Sequence, residues 1–426
     1  MKIALITDEN SSWLSYSANF IFTEFSGLEF KVFGLEMKYP SDYFPVSYLE
    51  QGNELSGIPN IVKETSDFEL DKYVLLNKYH SVLSDYNEAL LCQIDIFIAT
   101  RHFLTGTFFE SSGKTDIHQR IYTGYQEQLD ILNKIPLLDY IIFDFYKSLR
   151  NFYPNITEVN VPVKYEIGID VDLPWKFKHR GWLRQTAILF KAIFKNDSET
   201  VRLYWKKITT QKDPFDTYSE IIQMFGSENC RFFFLGENKS KYDGTHSFAH
   251  PAYKKLIKSI SNTGYSIGIH PGYFSFKDGP KIKGLKEQIE AIIGQKIISS
   301  RMHFLRWQNP DTPEALIKAG ITEDFTAGMA LETGFMYGTT RPFFWYNTQE
   351  RHCTILKRFP FVAMDRTLNT VLKLNTEEAL QRLIDLKEKV QYCGGTIRII
   401  CHNTTFSETY EWKGWSLVFK KFKATF

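Results

Sequence analysis

The chain has 426 residues, of which 43% are hydrophobic and 23% charged. That balance excludes a disordered or fibrous class, and the length suffices for two domains, each with its own core. The formal net charge is +2, and no basic run stands out beyond Lys420, Lys421 and Lys423, so charge gives no reason to expect a nucleic-acid partner. The five cysteines, Cys92, Cys230, Cys353, Cys393 and Cys401, are widely spaced and form no CxxC. This argues against a disulfide framework or thiolate zinc site and for a reducing compartment. Too few uncharged residues precede Asp8 for a signal peptide. No stretch reaches the ~18 apolar residues that cross a bilayer; the longest candidate, 183–194, is interrupted by Arg184, Gln185 and Lys191. The expected setting is the cytoplasm, without a transmembrane segment.

Residues 2–7 predict a strand, 15–25 a helix and 28–33 a second strand, a β-α-β opening typical of an α/β domain. Residues 39–65 carry Pro40, Pro45, Gly52, Gly57 and Pro59 and read as loop. Apolar residues run through 94–104, and 136–153 has helical spacing with a proline at its start. Residues 151–163 carry Pro154 and Pro162 without periodicity, and the domain boundary is expected there, at about residue 160. Beyond it, KYEIGID (164–170) predicts a strand. A polar-aromatic stretch with Trp175, Trp182 and Trp205 follows. Strands are then predicted at 231–235, 266–269, 297–300 and 396–401, and helices at 252–261, 285–293, 313–319 and 376–390, the last with Thr376 as N-cap. Such alternation predicts parallel strands with helices outside, a (β/α) barrel or sheet.

In such folds chemistry gathers where strands end. EIGID ends in Asp170, with Asp172 two residues on; YSIGIH ends in His270; IISSR ends in Arg301, with His303 following; TIRIICH ends in His402. Carboxylates and neutral imidazoles are the donors a divalent ion needs for hydrolysis. A free carboxylate can take the proton of a water, and a histidine can protonate a leaving nitrogen. Asp170 and Asp172, about 6–7 Å apart by strand rise, also suit a glycosidase pair, and that alternative stays open. His246 and His250 have i, i+4 spacing but sit between Gly244 and Pro251, which predicts a loop rather than a helical metal pair. Gly394–Gly395 reads as a turn.

These stretches, with FFFLG (232–236), resemble the polysaccharide deacetylase (NodB-homology, carbohydrate esterase family 4-like) family over residues 165–415. IDVD (169–172) resembles its Asp-Asp motif, GYSIGIH (264–270) its metal-histidine strand, RMHF (301–304) its Arg-x-Pro-Tyr motif and IICHN (399–403) its final Leu-His motif. With GIHPGYFS, SRMHFLRW and GITEDFTAG, the chain resembles a bacterial subgroup with an N-terminal α/β domain of unknown function. The resemblance implies residues 1–160 as that domain and 161–426 as a distorted (β/α) barrel. It implies a metal-dependent hydrolase removing acetyl groups from a sugar of a surface-glycan precursor. Asp170 would be the base, Arg301 its holder and His402 the acid. Asp172 and His270 would bind a divalent metal, zinc by choice. Tyr273, Trp307 and Asp324 would contact the carbohydrate. The pattern departs at two points: Val171 separates the two acids, and Phe274 stands where the family has a second metal histidine, followed by Ser275. His303, two residues past Arg301, is the expected replacement ligand. A non-catalytic carbohydrate-binding or assembly protein on the same barrel is the alternative. WKGW (412–415) is either a sugar platform or helix packing.

Overall fold

The computed structural model describes residues 1–50, 52–53, 55–63, 90–92 (backbone only), 95–107, 115–118, 120, 134–238 and 240–426. Thr65, Ile94 and the side chain of Cys92 therefore lie outside the described residues.

The first half builds a five-stranded parallel sheet in the order β2-β1-β3-β4-β5. Its strands are β1 (Lys2–Thr7), β2 (Glu29–Phe33), β3 (Tyr43–Leu49), β4 (Asn60–Val62) and β5 (Leu90–Cys92). Helix α1 (Ser12–Ala18) continues into a π-helical turn, Asn19–Phe25, and α2 (Ile96–Thr105) and α3 (Leu137–Phe152) complete the layer. The stretch expected as loop contains β3 and β4. Pro45 hid β3, since proline rarely sits inside a sheet. It is tolerated because β4 pairs only with Ser47–Leu49, so Pro45 has no partner on that side. In α3, Leu138, Ile142, Phe145 and Leu149 are buried at the i, i+4, i+7 spacing of one helical face. The core under this sheet also takes in Ala327, Met329, Met336, Tyr337, Phe343, Tyr346 and Cys393 from the second half. Asp139 in α3 adds a polar link, accepting from Thr339 Oγ1 (2.5 Å) and the Thr340 N–H (2.9 Å).

The second half carries a separate nine-stranded sheet. In chain order come β6 (Val163–Val171), α4 (Trp182–Phe194), α5 (Ser198–Thr210), α6 (Tyr218–Met224) and β7 (Cys230–Phe234). Next are α7 (Pro251–Asn262), β8 (Ser266–Ile269), α8 (Gly279–Ile293), β9 (Ser299–Ser300), α9 (Asp311–Lys318) and β10 (Glu323–Asp324). The last elements are β11 (Phe343–Asn347), β12 (His352–Arg358), β13 (Ala363–Met364), α10 (Thr376–Gln391), β14 (Gly395–His402) and α11 (Trp415–Lys423). The sheet order is β11-β12-β10-β9-β8-β7-β6-β14-β13. All ladders are parallel except β11–β12. Among the described residues it is a run of ladders, and none joins β11 to β13. The N-cap of α10 is Asn375 rather than Thr376: its side chain accepts from Glu377 and Glu378 N–H groups while Glu378 reaches back, a reciprocal capping box.

Period-2 alternation sorts β6. Ile167, Ile169 and Val171 enter the core under the helices, which leaves Glu166, Gly168 and Asp170 on the opposite face. That face is charged and paired: Glu166 meets Arg398 at 2.9 Å and Arg231 at 3.5 Å, and Arg231 meets Glu323 at 3.1 Å. Trp412 and Trp415 are both buried in the core, edge to face at 5.7 Å. WKGW is therefore helix packing and no sugar platform.

Candidate active site

Parallel strands all end on one side, and that end gathers the charges. Asp170 closes β6 beside His402 of β14, its partner in register. His270 follows β8, Arg301 follows β9 and Asp365 follows β13. A cavity of about 290 Å³ opens there, lined by Asp170, Asp172, His270, His303 and His402, with Phe304 and Leu305 among its apolar walls. Arg120 from the first half also lines it. A larger cavity, about 540 Å³, lies between α5, α6 and α11. It gathers no imidazole, so the smaller one is the candidate site.

Three groups of contacts order the site. Arg301 Nη1 donates to Asp170 Oδ1 at 2.6 Å, its Nε donates to the Phe325 carbonyl at 3.1 Å, and the guanidinium lies 4.3 Å over the Phe233 ring. A fork held on three sides fixes the Asp170 carboxylate. On the far side, His402 Nδ1 lies 2.9 Å from Asp365 Oδ1, and the His402 N–H and Thr405 hydroxyl donate to Asp365 Oδ2. This partner leaves His402 Nε2 facing the cavity, 3.5 Å from Asp172 Oδ2. Burial pushes the His402 imidazole down, but Asp365, with Asp172 and Asp170 behind it, outweighs burial and raises it. A histidine that keeps its proton more firmly than usual beside a cavity is suited to donate it.

Between them stand Asp172, His270 and His303, whose donor atoms all lie within 4.8 Å of one another. His270 Nδ1 is 2.6 Å from the Arg301 carbonyl, which a protonated Nδ1 satisfies, so the Nε2 lone pair faces Asp172 Oδ1 at 3.3 Å. His303 Nε2 is 3.5 Å from Asp172 Oδ2. Bonds of 2.0–2.2 Å to a tetrahedral ion put its ligand atoms roughly 3.3–3.6 Å apart, and each imidazole stands at that separation from one of the two Asp172 oxygens, His270 from Oδ1 and His303 from Oδ2. Asp172 Oδ1 is buried without a hydrogen-bond partner, an expensive state that a cation relieves. Burial pushes the Asp172 carboxyl up, but His303, His270 and His402 hold it well below the usual range. Burial pushes His303 down, but Asp172 and Asp243 outweigh it and raise the ring to about 9. One carboxylate and two imidazoles fit a divalent ion with an open position for water. Phe304 and Leu305, directly after His303, both have positive φ, 58° and 55°. Such backbone costs about 1–3 kcal/mol per residue and clusters at functional sites.

Of the nine residues singled out in the sequence, the structure brings six together: Asp170, Asp172, His270, Arg301, His303 and His402. The other three lie outside that cluster. Tyr273 is buried between the Arg306 guanidinium and the Tyr242 ring, each 4.2 Å away, with its hydroxyl 3.0 Å from His118 Nδ1. Trp307 is buried under Arg358 at 3.9 Å and donates to Asn309 Oδ1. Asp324 is fully buried and holds Arg358 Nε at 3.1 Å. None of the three lines the cavity, because each is saturated by protein partners. Ser275 donates to Glu237 at 2.6 Å, and Phe274 is 62% exposed, so neither stands in for a ligand. His246 and His250 lie in a loop and at a helix N-cap. Two residues were missed. Asp365 also follows an apolar run, FVAM, whose last two residues form β13, and the strand-end rule finds it. Asp243, 3.7 Å behind His303 Nδ1, lies in a loop with no sequence signal.

No protein-family model matches the chain, and no curated protein matches it. Among solved structures, a protein from Mycobacterium smegmatis assigned as a polysaccharide deacetylase is 14% identical, with TM-score 0.40, over 63% of this chain and 86% of that one. A CE4 family pseudoenzyme from Bacillus anthracis is 11% identical, with TM-score 0.31, over 62% and 61%. The polysaccharide deacetylase Bc1974 from Bacillus cereus is 12% identical, with TM-score 0.28, over 62% and 88%. This chain thus spans less than two thirds of the Bacillus anthracis protein. Among the described residues no helix is long and apolar enough to cross a membrane.

Proposed function

We propose that the chain is a metal-dependent hydrolase that removes an acetyl group from a sugar of a surface-glycan precursor. The observation that carries this reading is the cluster of Asp172, His270 and His303 flanked by two differently supported groups, Asp170 on Arg301 and His402 on Asp365. Sheet and site together are read as a distorted barrel of the NodB-homology type, with residues 1–160 as an accessory α/β domain. The assumed compartment is the cytoplasm, supported by unpaired Cys230, Cys353, Cys393 and Cys401.

Asp172, His270 and His303 would hold the ion, zinc being the choice for this donor set. When bound, it lowers the pKa of a water and polarises the acyl carbonyl. Asp170 takes the proton from the attacking water as its oxygen bonds to the acyl carbon. Arg301 keeps the Asp170 carboxylate aimed. His402 Nε2 delivers a proton to the departing sugar nitrogen, and Asp365 steadies the resulting imidazole exchange. Acetate and a free amino sugar leave. A carbohydrate-binding protein without turnover needs no such base-and-acid pair.

The test is acetate release from N-acetylglucosamine oligomers by zinc-loaded protein and by Asp170→Asn. Loss of one general base costs about 10²–10⁴-fold; the variant should keep its fold and zinc while losing that much turnover. Near-wild-type turnover in Asp170→Asn would refute the base assignment. Zinc binding without acetate release from any acetylated sugar would favour the binding-protein alternative.

A further inference from the structure

Helices α4 and α5 form a hairpin inserted between β6 and β7, and they break the usual rule for a surface helix. A helix of 13 residues normally turns its apolar stripe inward. In α4 one residue is buried, Ala192, and in α5 two, Thr200 and Leu203. The large apolar side chains point outward instead: Trp182 is 72% exposed, Phe190 71%, Phe194 93% and Trp205 57%, with Leu183 and Ile193 also exposed. At 100° per residue, Trp182, Leu183, Phe190, Ile193 and Phe194 fall within one third of the α4 circumference. At about 150–250 Å² per aromatic side chain, Trp182, Phe190 and Phe194 of this stripe alone present on the order of 450 Å², in the upper part of the range of the largest apolar patch on an ordinary monomer. Among the described residues nothing packs over this stripe.

The surrounding charge is one-sided. Residues 176–212 hold ten Lys and Arg against two acids, Asp197 and Glu199, a net of +8 in a chain whose total is +2. The rest of the protein therefore carries −6. Arg184 and Lys191 flank the α4 stripe, and Lys195 and Lys206 are exposed beyond it. The bases alternate with apolar residues, so no run betrays them in the sequence. The hairpin root is rigid. The Asp213 carboxylate accepts the N–H groups of Lys176, Phe177 and Lys178 at 2.8 Å each, and Lys207 Nζ donates to Gln185 at 2.9 Å, tying α5 to α4.

We infer that the α4–α5 hairpin is a membrane-surface anchor that seats its apolar stripe in an anionic lipid bilayer, with the basic residues on the headgroups. An aromatic and aliphatic stripe rimmed by Lys and Arg is the composition of a helix lying in the interface plane. Charge complementarity selects this occupant. A second copy would bring two hairpins of net +4 together, and phosphates of a nucleic acid have no use for Leu183, Phe190 and Ile193. Docking of this kind is independent of the hydrolase reading.

The experiment is flotation of the full chain with vesicles of phosphatidylcholine alone or with added phosphatidylglycerol. We expect at least about tenfold stronger partitioning into the anionic vesicles, falling as salt rises. Phe190→Ser with Phe194→Ser should weaken it about tenfold or more by removing two inserted rings. Lys191→Glu with Lys195→Glu should abolish the anionic preference. Thermal unfolding of both double variants should match wild type. Absence of partitioning into anionic vesicles, or partitioning untouched by the phenylalanine changes, overturns the proposal. So does a lowered Tm in Phe190→Ser with Phe194→Ser, which would make the stripe part of the core. A concentration-dependent dimer dissolved by those changes overturns it in favour of self-association.

Discussion

Gly168 gives the sharpest handle on the site without touching a functional side chain. A Cβ placed there would lie 2.3 Å from Arg301 Nη2, 2.6 Å from Nη1 and 2.8 Å from Cζ. Gly168→Ala therefore forces the guanidinium to move by about 1 Å to regain an ordinary contact of ~3.4–3.5 Å. An arginine at the surface would swing aside, but this one is 2% exposed and held by Asp170, the Phe325 carbonyl and the Phe233 ring. Stretching the 2.6 Å bond to Asp170 by that amount ends it, and a hydrogen bond to a charged group contributes about 1.5–3 kcal/mol. Alanine in a strand recovers about 0.5–1 kcal/mol of backbone entropy. The net cost is about 1–2 kcal/mol, a Tm drop of a few degrees for a protein this large. Turnover should fall about tenfold or more if Asp170 loses its aim, while zinc affinity stays near wild type because Asp172, His270 and His303 are not in the clash. Gly284→Ala is the control: nothing lies within 4 Å of its Cβ, in the middle of α8, and it should stabilise by about 0.5–1 kcal/mol. Chemical unfolding monitored by fluorescence measures both. If Gly168→Ala unfolds with Gly284→Ala above wild type, the Arg301–Asp170 contact is not as tightly packed as described, and the reasoning fails.

His303→Ala removes one of three proposed ligands, and zinc affinity should fall more than the 10–100-fold typical of losing an outer partner; competition with a chromogenic chelator reads it, and unchanged affinity removes His303 from the site. His246 supplies a pH test away from the cavity. Its ring is buried among Trp175, His179 and His250, and burial, helped by His250 and Arg180, pushes it down to about 4. The unfolded chain therefore binds a proton that the fold refuses between pH 6.5 and 4, so stability is full above 6.5 and is lost as pH falls through that window. Urea midpoints across it should drop less in His246→Gln than in wild type, by about 1–3 kcal/mol; parallel curves would assign the acid sensitivity elsewhere.

Much of the second sheet was legible because its strands are short apolar runs that stop at a charged residue. β8 coincides with the predicted 266–269, and β6, β7 and β14 differ by a residue or so at their ends. The same rule names Asp170, His270, Arg301 and His402, since in a parallel sheet every such stop falls on one side. It fails where neighbours decide. Asp324 also ends a strand, but Arg358, 34 positions on, takes its carboxylate, and nothing local announces that pairing. Trp307 follows His303 by four residues, but the positive φ of Phe304 and Leu305 turns the chain away before it. In the first sheet, proline at 45 masked a strand that survives because its neighbour is short. The hairpin stayed hidden because its bases interrupt its apolar stripe, so neither signal forms a run.

The long β6–β7 connection joins these features. It leaves the sheet through Asp172, passes Leu173 and the Asp213 cradle, forms the hairpin, and returns through Phe215 and Thr217. Asn403, the residue after His402, closes the loop at its root: its Nδ2 donates to the carbonyls of Leu173 and Phe215 at 3.0 Å each, and its own carbonyl accepts from Thr217 Oγ1 at 2.8 Å. One buried amide thus ties the strand that carries His402 to both ends of the insertion. Satisfying two partly buried carbonyls with a side chain is what allows both ends of the insertion to pack there. The same bonds fix the hairpin relative to the cavity mouth, because Asp172 and His402 stand within one residue of the knot. If the stripe seats on an anionic bilayer as inferred above, this root holds the cavity mouth at a fixed position relative to that surface.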